Sequence, residues 1–139
     1  SAETEAEILA THGVRSQLPE IGPVTDATEV RAMIEHVREI HVSAAVRAYI
    51  VDLVEATRRH PDLYLGASPR ASIMLLRAAR ALAAADGRDF VIPDDIKGLA
   101  LPVLSHRIIA TADAVMSGKT PQMVLEELLR EVPVPVAGG

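Results

Sequence analysis

The chain has 139 residues with 14 basic and 19 acidic side chains, a formal net charge of −5; that length suits one domain with a core of its own, and the acidic balance argues against a general nucleic-acid binder. Cysteine is absent, which excludes a disulfide framework and a thiolate metal site. No apolar run approaches a membrane span and no basic-then-apolar leader opens the chain, so the expected location is the cytoplasm.

In chain order, Glu3 to His12 reads as a short helix stopped by Gly13. Residues 13 to 24 hold Gly13, Pro19, Gly22 and Pro23 without a helical period and read as a linker. Asp26 and Glu29 form a capping box for a helix carrying Val30, Met33, Ile34, Val37 and Ile40 at helical spacing. A third helix starts at Ser43, presents Val46, Tyr49, Ile50, Leu53 and Val54, and ends at Arg58-Arg59-His60 before Pro61. The segment Asp62 to Ala67 is expected to be a loop. Ser68-Pro69 then opens a fourth helix with Ile73, Leu76, Ala79 and Leu82 on its inner face, closed by Gly87. Pro93-Asp94-Asp95 opens a fifth, with Ile96, Leu99 and Val103 inward. Residues 104 to 118 fit either a short helix or an extended piece. Thr120-Pro121 opens the last helix, with Val124, Leu125, Leu128 and Leu129 inward. Pro133 and Pro135 end it, and residues 137–139 are expected to be a mobile tail. Ala and Leu are good helix formers, and Tyr49, Tyr64 and Phe90 are the only aromatics. The sum is an all-α compact bundle of five to six helices.

The informative stretch is Gly66-Ala67-Ser68-Pro69-Arg70-Ala71-Ser72. A helix N-terminus is partially positive and favours acids in its first turn. Arg70, two residues after the N-cap Ser68, breaks that rule and adds its charge to the amide dipoles, which makes a focused anion site. Pro69 fixes the first-turn backbone, and Gly66 permits close approach of the loop. The bland alternative is an ordinary Ser-Pro helix start with Arg70 paired to a nearby acid. Twelve of the fourteen cations are Arg. That bias fits planar anion recognition or simply genome composition.

VSAAVRAYIVDLVEATRRHPDLYLGASPRAS and LLRAARALAAADGRDFVIPDDIKGLALPVLSHRII resemble the lid of MoxR-type AAA+ ATPases. GKTPQMVLEELLREVPVP resembles that family's C-terminus, and ETEAEILATHG the end of its core domain. The resemblance implies residues 1–25 as the end of the core helix and a linker, and 26–136 as the helical lid. It implies that Arg70 is the sensor 2 residue, reaching the terminal phosphate of a nucleotide held by the core, with Gly66, Ser68 and Pro69 beside it. It further implies ATP and Mg2+ in the longer protein, a hexameric ring with neighbouring subunits, and a chaperone-like role toward von Willebrand factor A-domain proteins or client enzymes. Ile92 departs from the family, which often has Thr there, and the N-cap hydroxyl is lost. His106-Arg107 matches the family's HR pair without a readable role. No G-x-x-x-x-G-K-[ST] and no Walker B strand is present, so this chain by itself is expected neither to bind ATP tightly nor to hydrolyse it.

Other constellations are weaker. His12, His36, His41, His60 and His106 show no metal-ligand spacing. Ser68, Ser72 and Ser105 have no evident base and acid partners for a hydrolase triad. Asp94-Asp95 reads as helix-start acids or a cation site. Arg58-Arg59 reads as a helix-end cap or a contact to a neighbouring subunit. Two other functional classes stay open at this point: a free-standing helical adaptor, and a helix-turn-helix regulator with Ser43 to Ala85 as its helix pair.

Overall fold

The computed structural model describes residues 2–12 and 22–135. The stop at Gly13, most of the linker and the tail 137–139 lie outside the described residues. The elements are α1 (Ala2–His12), α2 (Ala27–Glu39), α3 (Ala44–Arg59), β1 (Leu63–Leu65), α4 (Pro69–Ala85), α5 (Pro93–Leu104), a 3₁₀ turn (Ser105–Arg107), β2 (Ile109–Ala110), α6 (Ala112–Met116) and α7 (Pro121–Glu131). The fold is all-α with one small antiparallel ladder. The chain divides into two compact units, Ser1–Met33 and Ile34–Gly139, with the boundary inside α2.

In the first unit α1 carries Glu3 and Glu5 in its first turn. The capping box of α2 forms as the sequence predicts. The Thr28 and Glu29 N–H groups donate to Asp26 Oδ1 at 2.7 and 2.9 Å, and the Asp26 N–H donates to Glu29 Oε2 at 3.3 Å. The expected apolar stripe of α2 is not a core face, however. Val30, Met33 and Ile34 are exposed, and none of the helix's residues is buried. Ile40, just past its end, enters the core of the second unit.

That core is aliphatic and built mainly from α3, α4, α5 and α7. The face of α3 is the expected one: Val46, Tyr49, Ile50, Leu53 and Val54 are buried. The face of α4 keeps the expected Ala79 and, at its edge, Leu76, but is rotated away from the expected Ile73 and Leu82. Ala71, Leu75, Ala79 and Ala83 are buried, while Ile73 is half exposed and Leu76 and Leu82 are half-buried. The small alanines let α4 lie close against α5 and α3, its main neighbours, and push the larger side chains to the flanks. α4 ends in a Schellman turn at Gly87, φ +72°, where the Arg88 N–H reaches the Ala83 carbonyl at 2.8 Å.

α5 starts at Pro93 although Ile92 offers no capping hydroxyl. Asp95 supplies what is missing: its carboxylate accepts from the Ile92 N–H at 2.9 Å and from both Arg88 Nη atoms at 2.9 and 2.7 Å. Asp95 is only 5 % exposed, and this pairing is what a buried carboxylate requires. The guanidinium of Arg88 is pushed upward in pKa by its hydrogen bonds to Asp95 and then Asp86. The helix-start reading of Asp94-Asp95 therefore holds in an extended form, with Asp95 as a buried clasp between the α4–α5 loop and α5. Leu99 and Val103 pack against the core, and Ala100 and Leu104 are buried.

Two segments differ from or refine the sequence reading. The expected loop at Asp62 to Ala67 contains β1, which pairs antiparallel with β2, Leu63 opposite Ala110 and Leu65 opposite Ile109. Residues 104 to 118 hold both expected forms in series: a 3₁₀ turn, β2, and α6 capped by Thr111, which accepts from the Ala114 N–H at 3.2 Å.

Candidate functional site

The loop between β1 and α4 is held against α3 by three independent contacts. Ala67 is buried, and both its backbone groups are used. Its N–H donates to Thr57 Oγ1 at 2.9 Å, and its carbonyl accepts from Arg58 Nε at 2.7 Å. Thr57 is fully buried and turns its own hydroxyl proton to the Val54 carbonyl at 2.6 Å. Gly66 supplies the third contact. A Cβ there would lie 2.6 Å from the Arg58 Cα, 2.7 Å from its N and 2.8 Å from the Thr57 carbonyl carbon. Gly66 is therefore glycine because α3 lies against it, which is a structural reason distinct from access for a ligand.

Pinned in this way, the first turn of α4 faces solvent. Ser68, Pro69 and Arg70 are all exposed. Ser68 has the extended N-cap backbone, φ −78° and ψ 163°, yet its hydroxyl makes no cap hydrogen bond. Ser68 is thus the N-cap residue that the sequence predicts, with its hydroxyl left out of the cap. Ser43, Thr111 and Thr120 do cap theirs, accepting from Val46, Ala114 and Met123. The first turn of α4 contains no acid. Arg70 has no salt-bridge partner among the described residues, so the pairing with a nearby acid that the bland alternative expects is not found among them. The result is an exposed cation beside a helix N-terminus whose side-chain cap is uncommitted, a combination suited to an anionic oxygen cluster.

Arg58 and Arg59 separate in role. Arg58 ties down the Ala67 carbonyl, a contact that neither the cap nor the neighbour-contact expectation contains, whereas Arg59 forms an exposed i,i+4 pair with Glu55 at 2.5 Å. Thr57 is invisible in the sequence as a site-positioning residue, because a Thr near a helix C-terminus gives no signal for a bond ten residues onward. His106 is exposed, and Arg107 Nε donates to the Val103 carbonyl at 3.1 Å.

A second cluster joins residues distant in sequence. His60, Asp62 and Glu127 bring ligand-type atoms within 4.8 Å of one another. Gly118, φ +81°, turns the chain so that Lys119 enters the same cluster. Its ammonium donates to Asp62 at 2.6 Å and lies 2.9 Å from Glu127. The lysine hydrogen bond holds the Asp62 carboxyl below its ordinary pKa, and the two carboxylates hold the Lys119 ammonium above its own. His60 Nδ1 accepts from the Asp62 N–H at 3.2 Å, which leaves that nitrogen committed to the backbone. The cluster is an ion network that already contains its cation, tying the end of α3 and the start of β1 to α7.

The AAA lid domain family matches residues 55–128, the stretch from the end of α3 to α7 that contains the pinned loop and Arg70. The chain is 34 % identical to chaperone MoxR1 of Mycobacterium tuberculosis, over 97 % of this chain and 38 % of that protein. The chain belongs to the MoxR family of AAA+ lid domains. It is also 34 % identical to the uncharacterized protein YeaC of Bacillus subtilis, over 98 % of this chain and 42 % of that protein. A crystal structure of a protein assigned as an ATPase, from Cytophaga hutchinsonii, matches with a TM-score of 0.82 at 28 % identity, over 98 % of this chain and 44 % of that one. This lid domain thus spans less than half the length of the relatives it matches. Among the three functional classes open from sequence, the family decides for the lid over the adaptor and the helix-turn-helix regulator. Among the described residues, no helix of the lid is long and apolar enough to cross a membrane.

Proposed function

We propose that this MoxR-type lid supplies Arg70 as the sensor 2 residue of a longer AAA+ ATPase, contacting the terminal phosphate of ATP bound with Mg2+ at a core domain. The observation that carries this reading is the exposed guanidinium of Arg70, without an ion-pair partner among the described residues, on the first turn of α4, which has no side-chain cap. The fit is to the phosphate end alone. A guanidinium and a helix N-terminus recognise anionic oxygens, whereas this first turn offers no carboxylate for a metal. Magnesium chemistry, the P-loop and the attacking water belong to the core.

In this reading Thr57, Arg58 and Gly66 act at one remove. They fix the height of the loop on α3 and hence the direction in which α4 projects Arg70. A rigid pedestal matters because a charge that stabilises phosphoryl transfer must stand in place before the charge develops. Hydrolysis then removes the anion that Arg70 grips, and the lid moves as a body relative to the core. In a ring of such subunits that motion reaches neighbours and remodels client enzymes or von Willebrand factor A-domain partners. Residues 1–25 serve as the end of the core and its linker, and 26–136 as the lid proper, working in the cytoplasm.

The test is Arg70→Ala in the full-length protein. Loss of one preorganised charge contact lowers ATP turnover by roughly a hundredfold, while the isolated chain loses no stability. Undiminished turnover rejects the sensor role.

A further inference from the structure

Beside the first turn of α4 runs an apolar groove of about 160 Å³, walled by Arg47, Ile50 and Val51 of α3 and by Ser72, Ile73 and Leu76 of α4. Val51 is 48 % exposed and Ile73 50 %, so two aliphatic side chains stand half in solvent on facing walls. The solvent face of α4 continues the groove. Arg70, Ile73, Arg77 and Ala81 are all exposed, at spacings of three, four and four residues that place them on one stripe. Arg70 and Arg77 lie about 10 Å apart along the helix axis.

The charge on this face is one-signed. α4 contains Arg70, Arg77 and Arg80 and no acid over its 17 residues, in a chain whose net charge is −5. Neither Arg70 nor Arg77 has a salt-bridge partner among the described residues. Arg47 is committed to the Val42 carbonyl rather than to a carboxylate, and Asp52 lines a different cleft, with α7. An aliphatic slot bordered by uncompensated guanidinium groups is complementary to an aliphatic side chain flanked by carboxylates. Arginine is also enriched at buried interface centres. Nucleic acid fits the cations but not the apolar walls.

We infer that this groove seats an acid-flanked aliphatic side chain of the nucleotide-carrying domain, with Arg77 as the charge anchor. This rests on the lid reading but divides the work between residues, since Arg70 meets phosphate while Ile73, Val51 and Arg77 hold the protein surface that brings it. The chain has no cysteine, which makes a direct test available. Ile73→Cys and, on the opposite wall, Val51→Cys are labelled with a maleimide in the isolated chain and in the full-length protein with a non-hydrolysable ATP analogue, and the labelled peptides are read by mass. Both sites react in the isolated chain. In the full-length protein labelling is lost, Arg77→Glu restores it, and Arg77→Lys does not. Equal labelling in both settings overturns the inference, as does protection that appears only when duplex DNA is added. Arg70→Ala is scored separately by turnover. Full turnover with the groove still shielded defeats the phosphate role alone, and lost turnover with an open groove defeats the docking surface alone.

Discussion

The buried hydroxyl of Thr57 accepts the Ala67 N–H at 2.9 Å, so a side chain in the last turn of α3 sets where the loop to α4 begins. Neither group has water to fall back on, since Thr57 and Ala67 are both buried. Thr57→Val keeps the shape and deletes the acceptor, leaving a buried donor unpaired at a cost of about 1–3 kcal/mol. Urea unfolding of the isolated chain should show a lower midpoint with an unchanged slope. Thr57→Ser should recover most of the loss, and a Val variant as stable as the parent would show that the bond carries little.

Two glycines give opposite expectations. At Gly66 an added Cβ meets backbone atoms of Arg58 and Thr57 at 2.6 to 2.8 Å, and backbone cannot step aside as a side-chain tip can. Gly66→Ala therefore forces the loop off α3 and destabilises by about 1–3 kcal/mol. Gly98 is exposed within α5 and has nothing within 4 Å of a built Cβ. Gly98→Ala should stabilise by roughly 0.5–1 kcal/mol through helix propensity and reduced chain entropy. Thermal melts of the pair check both signs.

Helix starts are the most legible part of the sequence because capping chemistry is local. Asp26, Ser43 and Thr120, the starts that the sequence predicts, all accept from first-turn amides. The inner face of α4 is easily misread because alanine carries little hydrophobic signal. The larger Ile73 and Leu76 set the apparent phase, while Ala71, Ala79 and Ala83 do the packing. The stripe of α2 is legible as apolar, but a stripe does not say what covers it. At the site, Arg70 is visible as a breach of the dipole rule. Its supports are not, because the bonds of Thr57 and Arg58 to Ala67 are tertiary pairings that periodicity cannot encode, and the same holds away from the site for Asp95 to Arg88 and Lys119 to Asp62. The GRDFVIPDD stretch contains both ends of the Arg88–Asp95 clasp without announcing the bond between them.

The Lys119 network should make stability depend on pH at both extremes. Asp62 has a folded pKa below its ordinary 3.8, so its contribution is complete above that value and is lost as pH falls through the folded pKa. Lys119 has a folded pKa above its ordinary 10.5, so its contribution is complete below that value and is lost as pH rises through the folded one. Lys119→Met should lower the urea midpoint across the neutral plateau. The gap between parent and variant should close in acid below 3.8 and again in strong alkali. A gap of constant size at all pH values would assign the effect to lost packing of the lysine stem.

Arg70 is a place where stability and function should pull in opposite directions. In the isolated chain a cation sits against the positive end of α4, whose first turn has neither an acid nor a side-chain cap. Arg70→Glu replaces an unfavourable charge–dipole contact with a favourable one and should raise stability by about 0.5–1 kcal/mol. The gain should shrink with added salt, since the residue is exposed. In the full-length protein the same change sets a carboxylate against the phosphate that Arg70 is proposed to hold, so turnover should fall further than in Arg70→Ala. The order of the three proteins by melting temperature, Glu above Ala above Arg, should then be the reverse of their order by ATP turnover. If the two orders coincide instead, the arginine is retained for folding and the anion-contacting role is wrong.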